Sequence, residues 1–209
     1  MTAIIDYGVG NLFSLQSSFA AIGEKAVVSR SPEVLESADR LVLPGVGAFC
    51  DARKALRGSG VEQCMMDLVS AGKPILGICL GMQMLFDRDY EDGVHEGLGL
   101  IPGEVRPVSE SLVSSGFPDL KIPQIGWNAL LFRKPSRLFR YLQEGDHVYF
   151  VHSYHATGCE SHTTAVTEYG AMLTASVERD NVFGTQFHPE KSGTVGLSIL
   201  KAFTEVVPC

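Results

Sequence analysis

Between Thr2 and Phe86 the apolar residues of this chain switch repeatedly between a period of two and a period near 3.6. Glycine or proline punctuates most of the switches. Thr2–Asp6 reads as a short apolar strand. Asn11 then caps a helix that carries Leu12, Leu15, Phe19 and Ile22 on one face. Lys25–Ser29 is a second strand, and Ser31-Pro32 supplies an N-cap and first-turn proline for a helix through Ala38. Arg40–Leu43 is a third strand, closed by Pro44-Gly45-Val46-Gly47. Val61–Ser70 is helical, Pro74–Ile78 is an apolar strand, and a helix follows over Leu80–Phe86. Strands alternating with helices imply a mostly parallel central sheet with helices on both faces. The second half is richer in strands: Leu98–Val108, His147–Ser153, Ala171–Glu178 and Asn181–Phe187, before a last helix over about Gly193–Val206. The expected fold is therefore α/β, with an antiparallel portion added to the parallel sheet. No repeat, linker or low-complexity stretch divides the chain, so residues 1–209 are expected to form one domain.

In such sheets, functional loops gather at the carboxyl ends of the strands, and three glycine-rich turns occupy such ends here. Gly8-Val9-Gly10-Asn11-Leu12-Phe13 has the shape of a dinucleotide fingerprint but lacks the third glycine, and Phe13 would block the close helix–strand packing. Gly45-Val46-Gly47-Ala48-Phe49-Cys50 fails in the same way. The third turn differs. Pro74-Ile75-Leu76-Gly77-Ile78-Cys79-Leu80-Gly81-Met82-Gln83 is a strand, then G-x-C-x-G, then a helix: the nucleophile-elbow pattern with cysteine as the nucleophile. A nucleophile on a sharp strand-to-helix turn needs sparsely allowed dihedrals, and glycines two positions away on each side let the backbones pass closely. Cys79 would sit at a helix N-terminus, with the Leu80 N–H aimed at a developing oxyanion. In a chain with 22 Gly and 5 Cys, G-x-C-x-G-x-Q arises by chance on the order of once per thousand chains.

A cysteine nucleophile needs a histidine base and an orienting acid. His188 ends the strand Val182–Phe187 and precedes Pro189-Glu190. Proline biases the residue before it to an extended backbone, in which positions i and i+2 share a face. Glu190 is thereby expected beside the His188 ring. His95, His147, His155 and His162 read as surface residues. No histidine pair has ligand spacing with carboxylate support, so no metal is expected.

Composition bounds the rest. A net charge of −7 argues against nucleic acid or an anionic membrane as the main partner, and no apolar run approaches the ~18–20 residues of a membrane span. Cys50, Cys64, Cys79, Cys159 and Cys209 are odd in number and widely spaced, which fits neither a disulfide framework nor a zinc site. With no secretory signal at Met1–Asp6, a cytoplasmic location is expected.

The elbow and the distant His-Pro-Glu resemble the class I, triad-type glutamine amidotransferases. Further segments stand in order from end to end: Ile4–Leu12, Leu43–Phe49, Pro123–Asn128, Tyr149–Tyr154 and Phe187–Gly193. Together they resemble one branch of that family, the glutaminase subunits of imidazole glycerol phosphate synthases in histidine biosynthesis. The resemblance implies a flavodoxin-like α/β fold, hydrolysis of L-glutamine to glutamate and ammonia, no cofactor, and Cys79, His188 and Glu190 as the triad. Leu80 and Val46–Gly47 would supply the oxyanion site, and Gly47, Gln83 and His152-Ser153-Tyr154 would line the glutamine pocket. Glu91 would bind the α-amino group, with Asp89 and Asp92 as competitors. His155 stands where the family pattern has another aromatic. Asn11, Trp127 and Lys191 would face a TIM-barrel cyclase in a heterodimer, and ammonia would pass to that partner directly. Two alternatives stay open: a triad glutaminase serving anthranilate or pyridoxal phosphate synthase, and a catalytically silent regulatory protein.

Overall fold

A computed structural model describes residues 1–207; Cys209 lies outside the described residues. The strands are β1 (Thr2–Ile5), β2 (Ala26–Ser29), β3 (Arg40–Leu43), β4 (Ile75–Ile78), β5 (Arg88–Asp89), β6 (His95–Glu96), β7 (Glu104–Pro107), β8 (Gln124–Ala129), β9 (Leu131–Phe132), β10 (His147–His152), β11 (Tyr154–Thr157), β12 (Thr163–Glu168), β13 (Met172–Arg179) and β14 (Val182–Thr185). The helices are α1 (Leu12–Ala21), α2 (Pro32–Ser37), α3 (Phe49–Gly58), α4 (Glu62–Ser70), α5 (Leu80–Gln83), α6 (Val108–Ser114) and α7 (Gly193–Thr204). The main sheet runs β2-β1-β3-β4-β14-β13-β12-β9. Pairing is parallel from β2 to β14 and antiparallel from there to β9, as the sequence led one to expect. A β10–β8 hairpin and a small sheet of order β11-β7-β5-β6 stand beside it.

Successive residues of the parallel strands serve opposite faces. Ala3, Ile5, Leu41, Leu43 and Ile75 pack with Leu35, Leu56 and Met65 of α2–α4, whereas Ile4, Val42 and Leu76 pack with Leu15, Phe19, Leu200 and Phe203 of α1 and α7. Phe183 of β14 meets Phe203 edge-on at 5.9 Å. No helix of the described residues is long and apolar enough to cross a membrane.

Several local expectations need correction. Asn11 and Ser31 occupy N-cap positions, but neither side chain makes a cap hydrogen bond; the Ser31 hydroxyl turns to the Glu33 carboxylate. Helix α5 is one turn long, not two, and the strand expected over Leu98–Val108 begins only at Glu104. One cause explains both. The chain at 98–101 folds back, and the N–H groups of Leu98, Leu100 and Ile101 bond the carbonyls of Met84 and Leu85, ending the helix. A side chain at Gly97 would collide with the Phe86 carbonyl, a Cβ lying 1.9 Å from it. Helices α3 and α6 and strands β8, β11 and β12 go beyond what local periodicity indicates.

His155 is not a surface residue. It lies on β11, is 3% exposed, and its Nε2 is 2.8 Å from the Ser111 hydroxyl of α6. The departure from the family pattern is thus a buried polar tie between the small sheet and α6. Burial holds the pKa of His155 down at about 4, and that of His152 likewise. Between the ordinary value near 6.5 and about 4, the unfolded chain takes up protons that the folded chain refuses. Stability therefore falls as pH drops through this window, by up to about 1.4 kcal/mol per pH unit for each histidine. We expect His155→Phe to lose less stability than the parent between neutral pH and the acid side, read as the change in urea midpoint. Equal changes in the two proteins would exclude His155 as a source of the acid sensitivity.

Candidate active site

Strand β4 runs out at Ile78, and the chain turns at once into α5. Cys79 makes that turn with φ 54° and ψ −111°, a conformation costly for any residue with a side chain. Its N–H donates to the Thr185 carbonyl at the end of β14 (2.7 Å), and its carbonyl accepts from the Gln83 N–H at 3.1 Å. The glycines on either side are required by contact. A Cβ on Gly77 would lie 2.6 Å from the Gly81 carbonyl oxygen, and one on Gly81 would lie 1.9 Å from the Leu43 carbonyl oxygen. Gly45 packs on the same spot, its absent Cβ 2.6 Å from the Gly81 nitrogen. Leu80 opens α5, so its N–H is one of those a helix start leaves without an intrahelical partner.

The register between β4 and β14 sets Gly184 opposite Gly77 and Thr185 opposite Ile78. Extending β14 by three residues brings His188 to Cys79. The His188 N–H bonds the Tyr149 carbonyl at 3.0 Å, and its own carbonyl accepts from the Ser192 hydroxyl at 2.6 Å. The ring is buried, with Nδ1 2.8 Å from Glu190 Oε1. Glu190 reaches it by a different route from the one expected. His188 is extended, but Pro189–Lys191 curls into a 3₁₀ turn, and that turn brings the carboxylate back under the ring. Burial alone would lower the pKa of His188. Hydrogen bonding to Cys79 and then to Glu190 overrides it and raises the value to about 9. With Nδ1 engaged by the carboxylate, Nε2 is the nitrogen left for the sulfur.

A cavity of about 300 Å³, the size of a small-molecule site, opens over this pair. Val46, Gly47, Leu80 and Gln83 line it with Cys79 and His188, and β10 and β11 contribute His152, Ser153 and Tyr154 from across the cleft. Glu91 and Lys191 complete the rim. Of the three competing carboxylates, only Glu91 lines the cavity; it also accepts the Phe49 N–H at the start of α3 (2.5 Å). Asp89 is buried behind it, accepts the Glu91 N–H at 2.7 Å, and has its pKa pushed up to about 6 by that burial. Asp92 points to solvent on a positive-φ turn.

The loop before α3 is anchored at its start and free at Val46–Gly47. The buried Tyr7 hydroxyl donates to the Pro44 carbonyl at 2.6 Å and Gly45 is wedged against α5, whereas Val46 is exposed and the space around Gly47 is open. Asn11 and Trp127 lie outside the cavity. Trp127 projects from β8, 53% exposed, edge-on to Tyr149 at 6.1 Å, and Lys191 Nζ lies 5.8 Å from the centroid of that Tyr149 ring. Two buried amides carry no motif that would single them out in the sequence. Gln124 bonds His152 Nε2 at 2.9 Å, while the other ring nitrogen meets the Tyr154 carbonyl at 2.7 Å. Gln186 sits two residues before His188, a strand spacing that places it on the same side. Cys50, Cys64, Cys79 and Cys159 are all free thiols, and Cys159 is buried.

Residues 3–206 match the family described as Glutamine amidotransferase class-I. The chain is 45% identical to the imidazole glycerol phosphate synthase subunit HisH of Wolinella succinogenes, across 99% of this chain and 100% of the relative. It is 46% identical to the protein of the same name from Lactococcus lactis, across 98% of each. A solved structure described as a glutamine amidotransferase superposes with a TM-score of 0.72 over 97% of both chains, at 20% identity. A structure described as PurLQS from Thermotoga maritima does so with a TM-score of 0.73, covering 97% of this chain and 96% of that one, at 16% identity. With a strained Cys79, a buried His188–Glu190 pair and a full-length family match, the chain belongs to the class I glutamine amidotransferases.

Proposed function

We propose that this chain is the glutaminase subunit of an imidazole glycerol phosphate synthase, acting through Cys79, His188 and Glu190. The observation that carries the reading is the strained Cys79 turn beside a His188 ring held at 2.8 Å by Glu190, in a chain 45% identical over its length to such a protein. The Cys79 thiolate attacks the γ-amide carbon of L-glutamine, and the Leu80 N–H with the Val46–Gly47 peptide stabilises the tetrahedral oxyanion. His188, kept protonated by its two partners, donates a proton to the departing ammonia. The same imidazole then takes a proton from water, which hydrolyses the glutamyl thioester, releasing glutamate and restoring the thiolate beside a protonated His188. Glu91 is the carboxylate placed to meet the α-ammonium group. Residues 1–209 are read as one amidotransferase domain working in the cytoplasm.

Ammonia set free in water would be protonated and lost as a nucleophile, so it is delivered to an acceptor site on a partner. That partner is read as a TIM-barrel cyclase, docked in a heterodimer through Trp127, Lys191 and Asn11, of which Lys191 also lines the cavity. The exposure of Trp127 and Val46 supports the assignment.

Three outcomes test the reading. Cys79→Ala should abolish glutamine-dependent synthesis in the assembled complex while leaving synthesis from ammonium salts intact. Single changes to serine at Cys50, Cys64, Cys159 or Cys209 should keep most activity. Substantial glutaminase turnover by Cys79→Ala would overturn the nucleophile assignment.

His188 must be protonated to release ammonia, so glutaminase activity should decline as pH rises past about 9. Glu190 helps to hold that proton. Glu190→Gln should therefore move the alkaline limb to lower pH and cost less in kcat than His188→Ala. An unmoved limb would remove Glu190 from the triad.

Hydrolysis without an acceptor wastes glutamine. With Pro44 and Gly45 fixed and Val46–Gly47 free, the Val46–Gly47 peptide is the natural element for a partner to reorient, and one oxyanion donor is worth roughly 10²–10³ in rate. We expect at least ~10²-fold stimulation of kcat by the cyclase with its ribotide ligand, with KM for glutamine little changed. Steady-state glutamate release by the free chain, the binary complex and the liganded complex measures it. A free chain that matches the liganded complex in rate would rule out gating.

A further inference from the structure

Behind the cavity, buried amide side chains form a hydrogen-bonded chain that ends on the Cys79 sulfur. Gln186 is wholly buried, and its Nε2 lies 3.7 Å from Cys79 Sγ. Its Oε1 accepts from Gln83 Nε2 at 3.1 Å, and the same Gln83 nitrogen donates to the Tyr154 carbonyl, also at 3.1 Å. These contacts fix both amides. Turning Gln83 over would set its oxygen against the Tyr154 carbonyl, so Gln83 must present N–H groups to Tyr154 and to Gln186. Gln186 must then present oxygen to Gln83, which leaves its N–H groups directed at the sulfur. The root of the side chain is held as well, because the Gln186 N–H donates to the Ala175 carbonyl of β13 at 2.9 Å.

The chemistry calls for such a donor. Cys79 is only 8% exposed, so water solvates a thiolate there poorly. His188 lies on the same strand extension and couples to the sulfur, which helps to raise its pKa. We propose that Gln186 is a further catalytic residue of the glutaminase reaction, whose side-chain N–H stabilises the Cys79 thiolate and holds the sulfur in its attacking position. The proposal rests on the reading of Cys79 as nucleophile. A hydrogen bond to a charged partner in a water-poor site is among the stronger ones available to a side chain. Gln83 takes on a second duty in this arrangement: besides lining the cavity, it locks the amide that faces the sulfur.

The test uses the full-length chain and its Gln186→Met variant, which keeps side-chain length and removes the donor. Alkylation of Cys79 by iodoacetamide is followed by mass spectrometry of the Cys79 peptide between about pH 6 and pH 9, which separates it from the other thiols. Gln186→Met should shift the alkylation profile to higher pH and slow alkylation at neutral pH by roughly 10–100-fold. Glutaminase kcat in the assembled complex should fall by a similar factor, with little change in KM. A folded Gln186→Met with the parent's alkylation profile would overturn the proposal. Should that variant fail to fold, the side-chain amide protons of Gln186 in the parent decide by NMR: they should exchange faster and shift upfield in Cys79→Ala, and identical behaviour in the two proteins would overturn the proposal. The underlying reading fails separately, if Cys79→Ala still hydrolyses glutamine.

Discussion

The site depends on a contact between backbones. At the carboxyl edge of the sheet, Gly77 of β4, Gly81 of α5 and Gly45 after β3 come so close that no Cβ fits between them. The tightest point leaves 1.9 Å from a hypothetical Gly81 Cβ to the Leu43 carbonyl oxygen. That contact seats α5 on the ends of two strands and forces the residue between Gly77 and Gly81 through a turn with positive φ. Cys79 takes the strain, of order 1–3 kcal/mol for such a conformation, and in return its sulfur stands clear of the sheet over a helix start. The same contact fixes the beginning of the Pro44–Gly47 loop, so Cys79 and the loop opposite it share one anchor.

Electrostatics then act on that scaffold. Burial works against a charged His188, yet Cys79 and Glu190 on either side outweigh it and leave a protonated ring at neutral pH. At His152 and His155 burial outweighs a backbone hydrogen bond, and both stay neutral with pKa values near 4. Three buried histidines thus carry different charges because only His188 has a carboxylate bonded to its ring. The neutral His152 suits a wall of hydrogen-bonding groups that shape a cavity without adding charge to it, while the protonated His188 suits proton delivery.

The amides behind the cavity link these parts. From the Cys79 sulfur, hydrogen bonds pass through Gln186 and Gln83 to the Tyr154 carbonyl, which a ring nitrogen of His152 also meets; Gln124 faces the other ring nitrogen and donates to Asn128 on the β8 strand that carries Trp127. Gln186 and Gln83 each have their orientation settled by a neighbour. These bonds pair the amides themselves, while Glu190 Oε2 and Thr185 Oγ1 nearby are buried without a partner.

How much of this is legible in the sequence follows from the range of the forces involved. Apolar periodicity is local, and so β1, β3, α4, β4 and α7 can be read to within a residue or two. The elbow is legible because its glycine spacing answers a local steric demand, and the His-Pro-Glu because proline restricts the residue before it. The resemblance carries the remaining site residues, and Glu91 stands out from Asp89 and Asp92 only once the loop is seen to turn the other two away. Tertiary contacts decided what no local rule contains: the early end of α5, imposed by the returning chain at Leu98–Ile101; the burial of His155 against α6; and the 3₁₀ turn that carries Glu190 to His188. The pairing of Cys79 with His188 belongs to this second group, because it comes from the parallel register of β4 and β14, two strands far apart in the chain. Sequence by itself determined which residues are the candidates for the chemistry, since residue type and short spacing set reactivity and turn geometry. Only the fold decided their partners, since hydrogen bonds, burial and charge coupling depend on distances in space that chain separation does not encode.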